Sequence, residues 1–135
     1  MNADGSGKVK IIKANAYAPQ VSDDGKTVYF VKKDQSGIWA YDLETKNERL
    51  IIKSFHPAHW GAFTLAESGI YYLNADNKRF EFFDFDSKRS GLIYQPQARI
   101  PRLGVALHLS PDRQRLMFSQ IDRHDADIML LEEQR

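Results

Sequence analysis

An internal repeat constrains the fold of this chain more than any other feature of its sequence. Shifting the sequence by 42 residues aligns most of residues 26–52 with residues 68–94. In this alignment Val28-Tyr29-Phe30 falls on Ile70-Tyr71-Tyr72, Tyr41-Asp42-Leu43 falls on Phe83-Asp84-Phe85, and Leu50-Ile51 falls on Leu92-Ile93. A third copy begins in LSPDRQRLMF, 88 residues after the first, and continues into DIMLLE after two extra residues. The chain therefore contains three copies of one structural unit.

Each copy predicts short β-strands, because aromatic and β-branched residues cluster in runs bounded by Gly, Asp, Asn and Ser. The first copy predicts four strands, APQVS, TVYFVK, IWAYDL and ERLII, joined by the connections DDGK, KDQSG and ETKN. Alternation within IWAYDL places Ile38 and Ala40 on one face and Trp39 and Tyr41 on the other, so at least one face is buried. No stretch shows helical periodicity. We predict an all-β chain of about three four-stranded antiparallel meanders.

Four-stranded units that recur every forty-odd residues are typical of β-propeller blades. SDDGKTVYFV and SPDRQRLMFSQ resemble the Ser-Pro-Asp-Gly repeat of WD-like, TolB-type propellers, in which an Asp-Gly turn joins the first two strands. Gly25 suits that turn because glycine accepts a positive φ. Arg113-Gln114 departs from the motif in the third copy, and only Gly69 of it remains in the second. The resemblance covers residues 15–133 and implies a propeller fold.

The end of the chain, LSPDRQRLMFSQIDRHDADIMLLEEQ, is similar to the C-terminal end of propellers fused to bacterial winged-helix transcriptional regulators. This resemblance implies a non-catalytic protein-interaction or sensing module in the cytoplasm, with DNA binding in a separate upstream domain. Two alternatives stay open. A signal peptide in the complete gene would favour a TolB-like periplasmic scaffold, and an adjoining hydrolase domain would identify the propeller of a prolyl-oligopeptidase-type peptidase.

The repeat divides the chain into a linker-like N-terminus, residues 1–7, and three blades, residues 15–54, 55–97 and 98–135. The third copy lacks a fourth strand, and residues 8–13 resemble the outer strand LIIK, so we predict that they close the last blade. Three blades alone would make a tighter ring than the four to eight blades of propellers. We therefore expect a homodimer in which each N-terminal strand completes the partner's third blade, giving six blades. The alternative is a fragment of a longer chain.

Charge and motifs exclude several classes of function. The 19 Lys and Arg residues nearly balance the 18 Asp and Glu residues, so we expect no direct nucleic-acid contact. The chain has no cysteine, which excludes disulfides and thiolate metal sites. It has no GxSxG elbow, no glycine-rich phosphate loop and no run long enough to span a membrane. We expect no catalytic residues, no cofactor and no membrane span.

The loops at one mouth of the propeller are the predicted binding site, because loops on a rigid scaffold commonly carry function. These loops are SFHPAHW, QPQARIPRLG, KKDQSG, NADNKR and IDRHDAD. They contribute the predicted binding residues for a protein or small ligand: His56, His59, Trp60, Arg99, Arg102, Arg123 and His124. The alternative is that His59 and Trp60 only pack between blades. His56 and His59 lack further ligands in a recognisable frame, so no metal site is expected.

Overall fold

A computed structural model of the chain describes residues 6–7, 10–12, 15–101, 104–122 and 125–132, without the side chains of 122 and 125–127. The described residues form eleven β-strands and one 3-10 turn, Pro57–His59. The strands are β1 (Ala16–Val21), β2 (Thr27–Lys32), β3 (Gln35–Asp42), β4 (Glu48–Ile52), β5 (Phe63–Leu65), β6 (Gly69–Asn74), β7 (Arg79–Asp84), β8 (Ser90–Tyr94), β9 (Leu107–Leu109), β10 (Arg115–Asp122) and β11 (Asp125–Glu132).

The strands form three separate antiparallel sheets in chain order, which we call blades. Blade 1 contains β1 to β4, blade 2 contains β5 to β8, and blade 3 contains β9 to β11. The predicted all-β propeller architecture is confirmed. Strand β3 begins at Gln35, inside the predicted loop KDQSG, because Lys32 pairs with Gln35 across a two-residue turn.

Strand register reproduces the sequence repeat. Val28 pairs with Tyr41 in blade 1, and the residues 42 positions later, Ile70 and Phe83, pair in blade 2. In blade 3, Leu116 pairs with Leu131, which allows for the two extra residues of the third copy. Residues aligned by the repeat therefore occupy the same position and face in each blade.

The first strands of the blades lie side by side around a common axis. The Gln20 side chain of β1 donates to the Phe63 carbonyl oxygen and accepts from the Leu65 N–H, both at 3.0 Å. The Leu107 N–H of blade 3 donates to the Gly61 carbonyl oxygen at 3.0 Å. The arrangement is radial, as in a propeller.

Apolar side chains fill the two layers between the blades. Tyr29 of blade 1 stacks on Phe85 of blade 2, with ring centroids 5.5 Å apart. In the second layer, Phe118 of blade 3 contacts Phe80 and Tyr94 of blade 2, at 4.6 and 5.5 Å between ring centroids. Burying these aromatic side chains supplies much of the driving force for folding.

A buried carboxylate lies in the layer between blades 1 and 2. Glu81 is 4% exposed and accepts hydrogen bonds from Tyr72 (2.6 Å), Asn74 (3.1 Å), Asn77 (3.3 Å) and Arg79 (2.8 Å). Burial opposes ionisation of Glu81, but these hydrogen bonds together lower its pKa to about 2. Burial, and then the bond to Glu81, raise the pKa of Tyr72 to about 12. The network is therefore ionised and satisfied at neutral pH.

The turns between the first two strands are alike in blades 1 and 3, although their sequences differ. Gly25 has φ 71° and its N–H donates to the Ser22 carbonyl oxygen at 2.8 Å. Arg113, 88 residues later, has φ 60° and its N–H makes the equivalent 2.8 Å bond to Ser110. The departure of Arg113 from the Asp-Gly motif thus leaves the turn geometry unchanged and places a side chain in the left-handed region.

We expect Arg113→Gly to raise the free energy of unfolding by about 0.5 to 1 kcal/mol, because glycine relieves the left-handed strain. The gain is partly offset by loss of the exposed Arg113–Asp23 ion pair, whose N–O distance is 2.8 Å. Gly25→Ala should lower the free energy of unfolding by about 1 kcal/mol. The added Cβ meets no atom within 4 Å, so the loss comes from backbone strain alone. Urea denaturation measures the free energy of unfolding of both variants. If both variants were stabilised, or both destabilised, the result would contradict the shared turn geometry.

Blade 3 has three strands among the described residues, in the order β11-β10-β9, as predicted for the third copy. In blades 1 and 2 the third strand, β3 or β7, pairs on its outer edge with a fourth strand. The equivalent edge of β11 has no strand beside it in the described chain. Residues 10–12 of the predicted closing strand 8–13 lie in no strand, and the rest of that segment is outside the described residues. The closing strand stays a prediction.

Candidate functional site

A cavity of about 760 Å³ opens at the mouth of the propeller, beside blade 1. Three chain segments form it: the start of β1, the turn between β2 and β3, and the segment that precedes β5. Its lining residues are Tyr17, Ala18, Lys33, Asp34, Ser36, His56, Pro57, Ala58 and Trp60. Two of the predicted mouth loops, KKDQSG and SFHPAHW, therefore come together, and the first strand joins them.

The cavity contains both of the exposed aromatic side chains of the protein. Trp60 is 53% exposed and Tyr17 is 42% exposed. Every other Phe, Tyr and Trp of the chain lies among the described residues and is buried or half-buried. Exposing two large aromatic rings at one place is unfavourable in water, so the cavity is suited to bury apolar groups of a ligand.

A bulge in β1 forms one side of the cavity. The pairing of β1 with β2 shifts register between Tyr17 and Gln20, and Ala18 within the bulge has φ 50°. A positive φ is strained for alanine and is a feature that concentrates at functional sites. The bulge allows Tyr17 to line the cavity while Gln20 holds β5.

The 3-10 turn Pro57–His59 stiffens the opposite side. His56 caps the turn, and its Nδ1 accepts a hydrogen bond from the Ala58 N–H at 3.0 Å. Because Nδ1 is the acceptor, the neutral ring carries its proton on Nε2. Pro57 occupies the first position of the turn, where its missing N–H costs nothing. The wall next to Trp60 is therefore held by its own local hydrogen bonds.

The structure separates the predicted binding residues. His56 and Trp60 line the cavity, whereas His59 is 6% exposed and lies behind them, with its ring 5.7 Å from that of His56. Trp60, 53% exposed, is therefore not enclosed between blades, whereas His59 is buried inside the fold. Arg99 is exposed and outside the cavity, where its carbonyl oxygen accepts from the Ile121 N–H at 2.8 Å. Arg102, Arg123 and His124 lie outside the described residues.

Tyr17 and Ala18 are the cavity residues that lie in none of the predicted mouth loops. The sequence predicts the first strand as APQVS, which excludes Tyr17, whereas β1 is AYAPQV and includes it. Pro19 was the available signal, because proline inside a strand marks an edge or a bulge. A bulge changes which side chains face outward, and Tyr17 follows from that change.

Within the described residues, no group of three or more His, Asp or Glu side chains is placed to hold a metal ion. No helix in the described part of the chain is long and apolar enough to cross a membrane.

No protein-family model matches the chain, and no curated protein matches its sequence. Two solved structures are similar. TolB from Acinetobacter baumannii has a TM-score of 0.72 at 14% identity, with coverage of 96% of this chain and 33% of TolB. The N-terminal domain of Nup159 has a TM-score of 0.61 at 11% identity, with coverage of 92% and 36%. The chain thus spans about a third of each structure and is similar to both in its propeller fold.

Proposed function

We propose that this chain is a non-catalytic protein-interaction module that binds a segment of a partner polypeptide in the mouth cavity. The observation that carries the proposal is that Tyr17 and Trp60, the exposed aromatic side chains, line the same cavity. Trp and Tyr are enriched among the residues that dominate binding energy at protein interfaces. The likeness to TolB and to the Nup159 domain supports the fold on which this proposal rests.

The cavity fits an apolar anchor flanked by polar groups. Its volume of about 760 Å³ lies within the range of about 300 to 1,000 Å³ that is usual for ligand pockets. Pro57 and Ala58 add apolar surface beside Trp60, while Lys33, Asp34 and Ser36 supply polar side chains on the other loop. An extended peptide that inserts an aliphatic or proline side chain between the aromatic rings matches this lining.

The hydrogen bonds of the cavity support binding rather than catalysis. A serine nucleophile needs a histidine nitrogen that is free to take its proton. Nδ1 of His56 is occupied by the Ala58 N–H, and the cavity contributes no other histidine. The other nitrogen of that ring, Nε2, carries its proton, so the ring offers Ser36 no basic nitrogen, and the chain has no thiol nucleophile. We therefore propose that the module is not an enzyme.

Selection from a random peptide library displayed on phage tests the proposal. We expect the protein to enrich peptides with an apolar anchor, and Trp60→Ala to weaken their binding by about tenfold or more. The control is Leu92→Ala, which shortens a side chain of similar exposure, 56%, on the outer strand of blade 2. Fluorescence anisotropy with the enriched peptides gives the dissociation constants.

Two results would overturn this site. One is that the protein enriches no peptide beyond those recovered from a control selection without protein. The other is that the enriched peptides bind Trp60→Ala and Leu92→Ala equally well, which would place their site elsewhere.

The wider context of the module is a further proposal. The C-terminal resemblance supports a place in a cytoplasmic bacterial transcriptional regulator, in which another domain would bind DNA. A periplasmic TolB-like scaffold and the propeller of a prolyl-oligopeptidase-type peptidase are the alternatives. The complete upstream reading frame separates them, since it would encode a winged helix, a secretion signal or a neighbouring hydrolase domain.

We also propose that the chain forms a homodimer in which residues 8–13 pair with β11 of the partner. Support comes from the edge of β11, which has no strand beside it in the described chain. An apolar strand edge left open is a template for pairing with another chain.

A further inference from the structure

Blade 3 presents to solvent a face that is buried in the other two blades. We define the back face of each blade as the one that covers the next blade in the chain. In blade 1, Ile38 pairs with Val31, in blade 2 Phe80 pairs with Leu73, and in blade 3 Ile128 pairs with Ser119 at the equivalent place. Ile38 and Phe80 are 0% exposed, whereas Ile128 is 82% exposed.

The neighbouring position on the same face shows the same difference. Ala40 of blade 1 is 1% exposed, but its equivalent Leu130 is 50% exposed. The alternate residues of β11, Met129 and Leu131, point the other way and pack against the core with blade 2. The back face of blade 3 is therefore an inter-blade surface that no blade covers among the described residues.

Blade 1 exposes apolar side chains on the two outer parts of its opposite surface. We define the front face of a blade as the one that receives the preceding blade. Val21 lies on this face of blade 1 and pairs with Val28, as Leu65 pairs with Ile70 and Leu109 with Leu116. Leu65 and Leu109 are half-buried against the core, whereas Val21 is 56% exposed. The front face of blade 1 is thus exposed at Val21 and at Leu50, 37% exposed, on either side of the buried Val28 and Phe30, and the chain ends with an open back face.

Charges on the two open faces are already paired within the chain. On the front face of blade 1, Lys32 forms an ion pair with Glu48, and its ammonium lies 3.7 Å from the ring centroid of Trp39. On the back face of blade 3, Arg115 Nε lies 2.9 Å from Glu132 Oε1. Bringing such faces together would bury no unpaired charge from these residues, which is the usual obstacle to closing an interface.

We infer that a second copy of this chain covers both faces, with blade 1 of each copy packed on the back face of blade 3 of the other. The inference rests on the proposed homodimer and adds the surfaces that form it. Two such contacts related by a two-fold axis close a ring of six blades, within the four-to-eight range of propellers. Each contact repeats the front-to-back packing found inside the chain.

Analytical ultracentrifugation from about 1 to about 100 micromolar protein tests the assembly. We expect the wild-type chain to sediment with twice its monomer mass. Ile128→Glu should weaken dimerisation by about a hundredfold, because it places a charge in the apolar contact. Val21→Glu should do the same from the other side of that contact. Both side chains are exposed in the single chain, so circular dichroism should show that the variant protomers remain folded.

The control is Leu92→Glu, a change to a leucine of comparable exposure, 56%, that lies on blade 2 away from both faces. It should leave the dimer intact. Ile11→Asp separates the two proposals, since Ile11 belongs to the exchanged segment 8–13 and to none of the strands β1 to β4 and β9 to β11 that form the two faces. A dimer that survives Ile11→Asp but not Ile128→Glu would keep the face pairing and refute strand exchange.

Three results would overturn the face pairing. A wild-type monomer at every concentration would assign these faces to something other than a second copy. An Ile128→Glu variant that dimerises like wild type would exclude the back face. Dissociation by Ile128→Glu but not by Val21→Glu would indicate dimers joined through two copies of blade 3.

Discussion

Glu81→Gln is expected to lower the free energy of unfolding by about 3 kcal/mol at neutral pH. An amide has one acceptor oxygen where the carboxylate has two, and its NH₂ group would face the donors of Asn77 and Arg79. Tyr72 would also lose its short bond of 2.6 Å to an ionised acceptor. Urea denaturation of the two proteins at pH 7 measures the difference.

The same pair of proteins should show a characteristic pH dependence. The pKa of Glu81 falls from 4.5 to about 2 on folding, so its carboxylate stabilises the fold fully only above pH 4.5. The unfolded chain binds this proton first as the pH falls. The stability difference between wild type and Glu81→Gln should therefore shrink from about pH 4.5 down to about pH 2.

Glu67→Gln is the control, because Glu67 has a side chain that is 87% exposed and lies 3.9 Å from Arg113. It should change the stability by less than about 0.5 kcal/mol at any pH. A difference between wild type and Glu81→Gln that stays constant from pH 7 to pH 2 would show that Glu81 is not held ionised by the network.

Gly69→Ala is expected to destabilise the protein by about 3 kcal/mol or more. A Cβ at this position would lie 2.0 Å from the Phe83 carbonyl oxygen and 2.5 Å from the Phe82 ring. The first of these is a backbone atom of the paired strand β7, so the clash moves the ladder of blade 2 and not merely a side chain. Thermal and urea denaturation should both record the loss.

Gly91→Ala makes the same chemical change on the same blade without a clash, since no atom lies within 4 Å of its added Cβ. Because glycine is unfavourable within a strand, this variant should be neutral or slightly more stable. Equal losses in Gly69→Ala and Gly91→Ala would mean that backbone freedom, and not the close approach to Phe83, explains the glycine at 69.

The repeat in the sequence also predicted much of the detail within blades. It aligned Glu44-Thr45-Lys46 with Asp86-Ser87-Lys88, and Lys46 and Lys88 both adopt positive φ, 63° and 59°. Such turns are set by nearby residues, here Asp42 and Asp84, whose carboxylates accept backbone N–H groups within three residues. Local structure of this kind is readable because cause and effect lie close together in the chain.

The candidate site was predicted only in part. The two loops that carry His56 and Trp60 were assigned to the mouth from the order of strands alone. Tyr17 was missed because a register shift in β1 decides its direction, and His59 was included although it is buried. Exposure of a loop residue depends on which neighbours cover it, which strand order does not specify.

The strands, their turns and the three-fold recurrence of one sheet could be predicted from the sequence, because alternation and turn residues act over a few positions. Which faces meet depends instead on how whole blades pack against each other. Ile38 and Ile128 occupy equivalent places and have the same side chain, yet one is 0% and the other 82% exposed. Burial is a property of the blade that packs alongside, and no local pattern of residues encodes whether that blade is present.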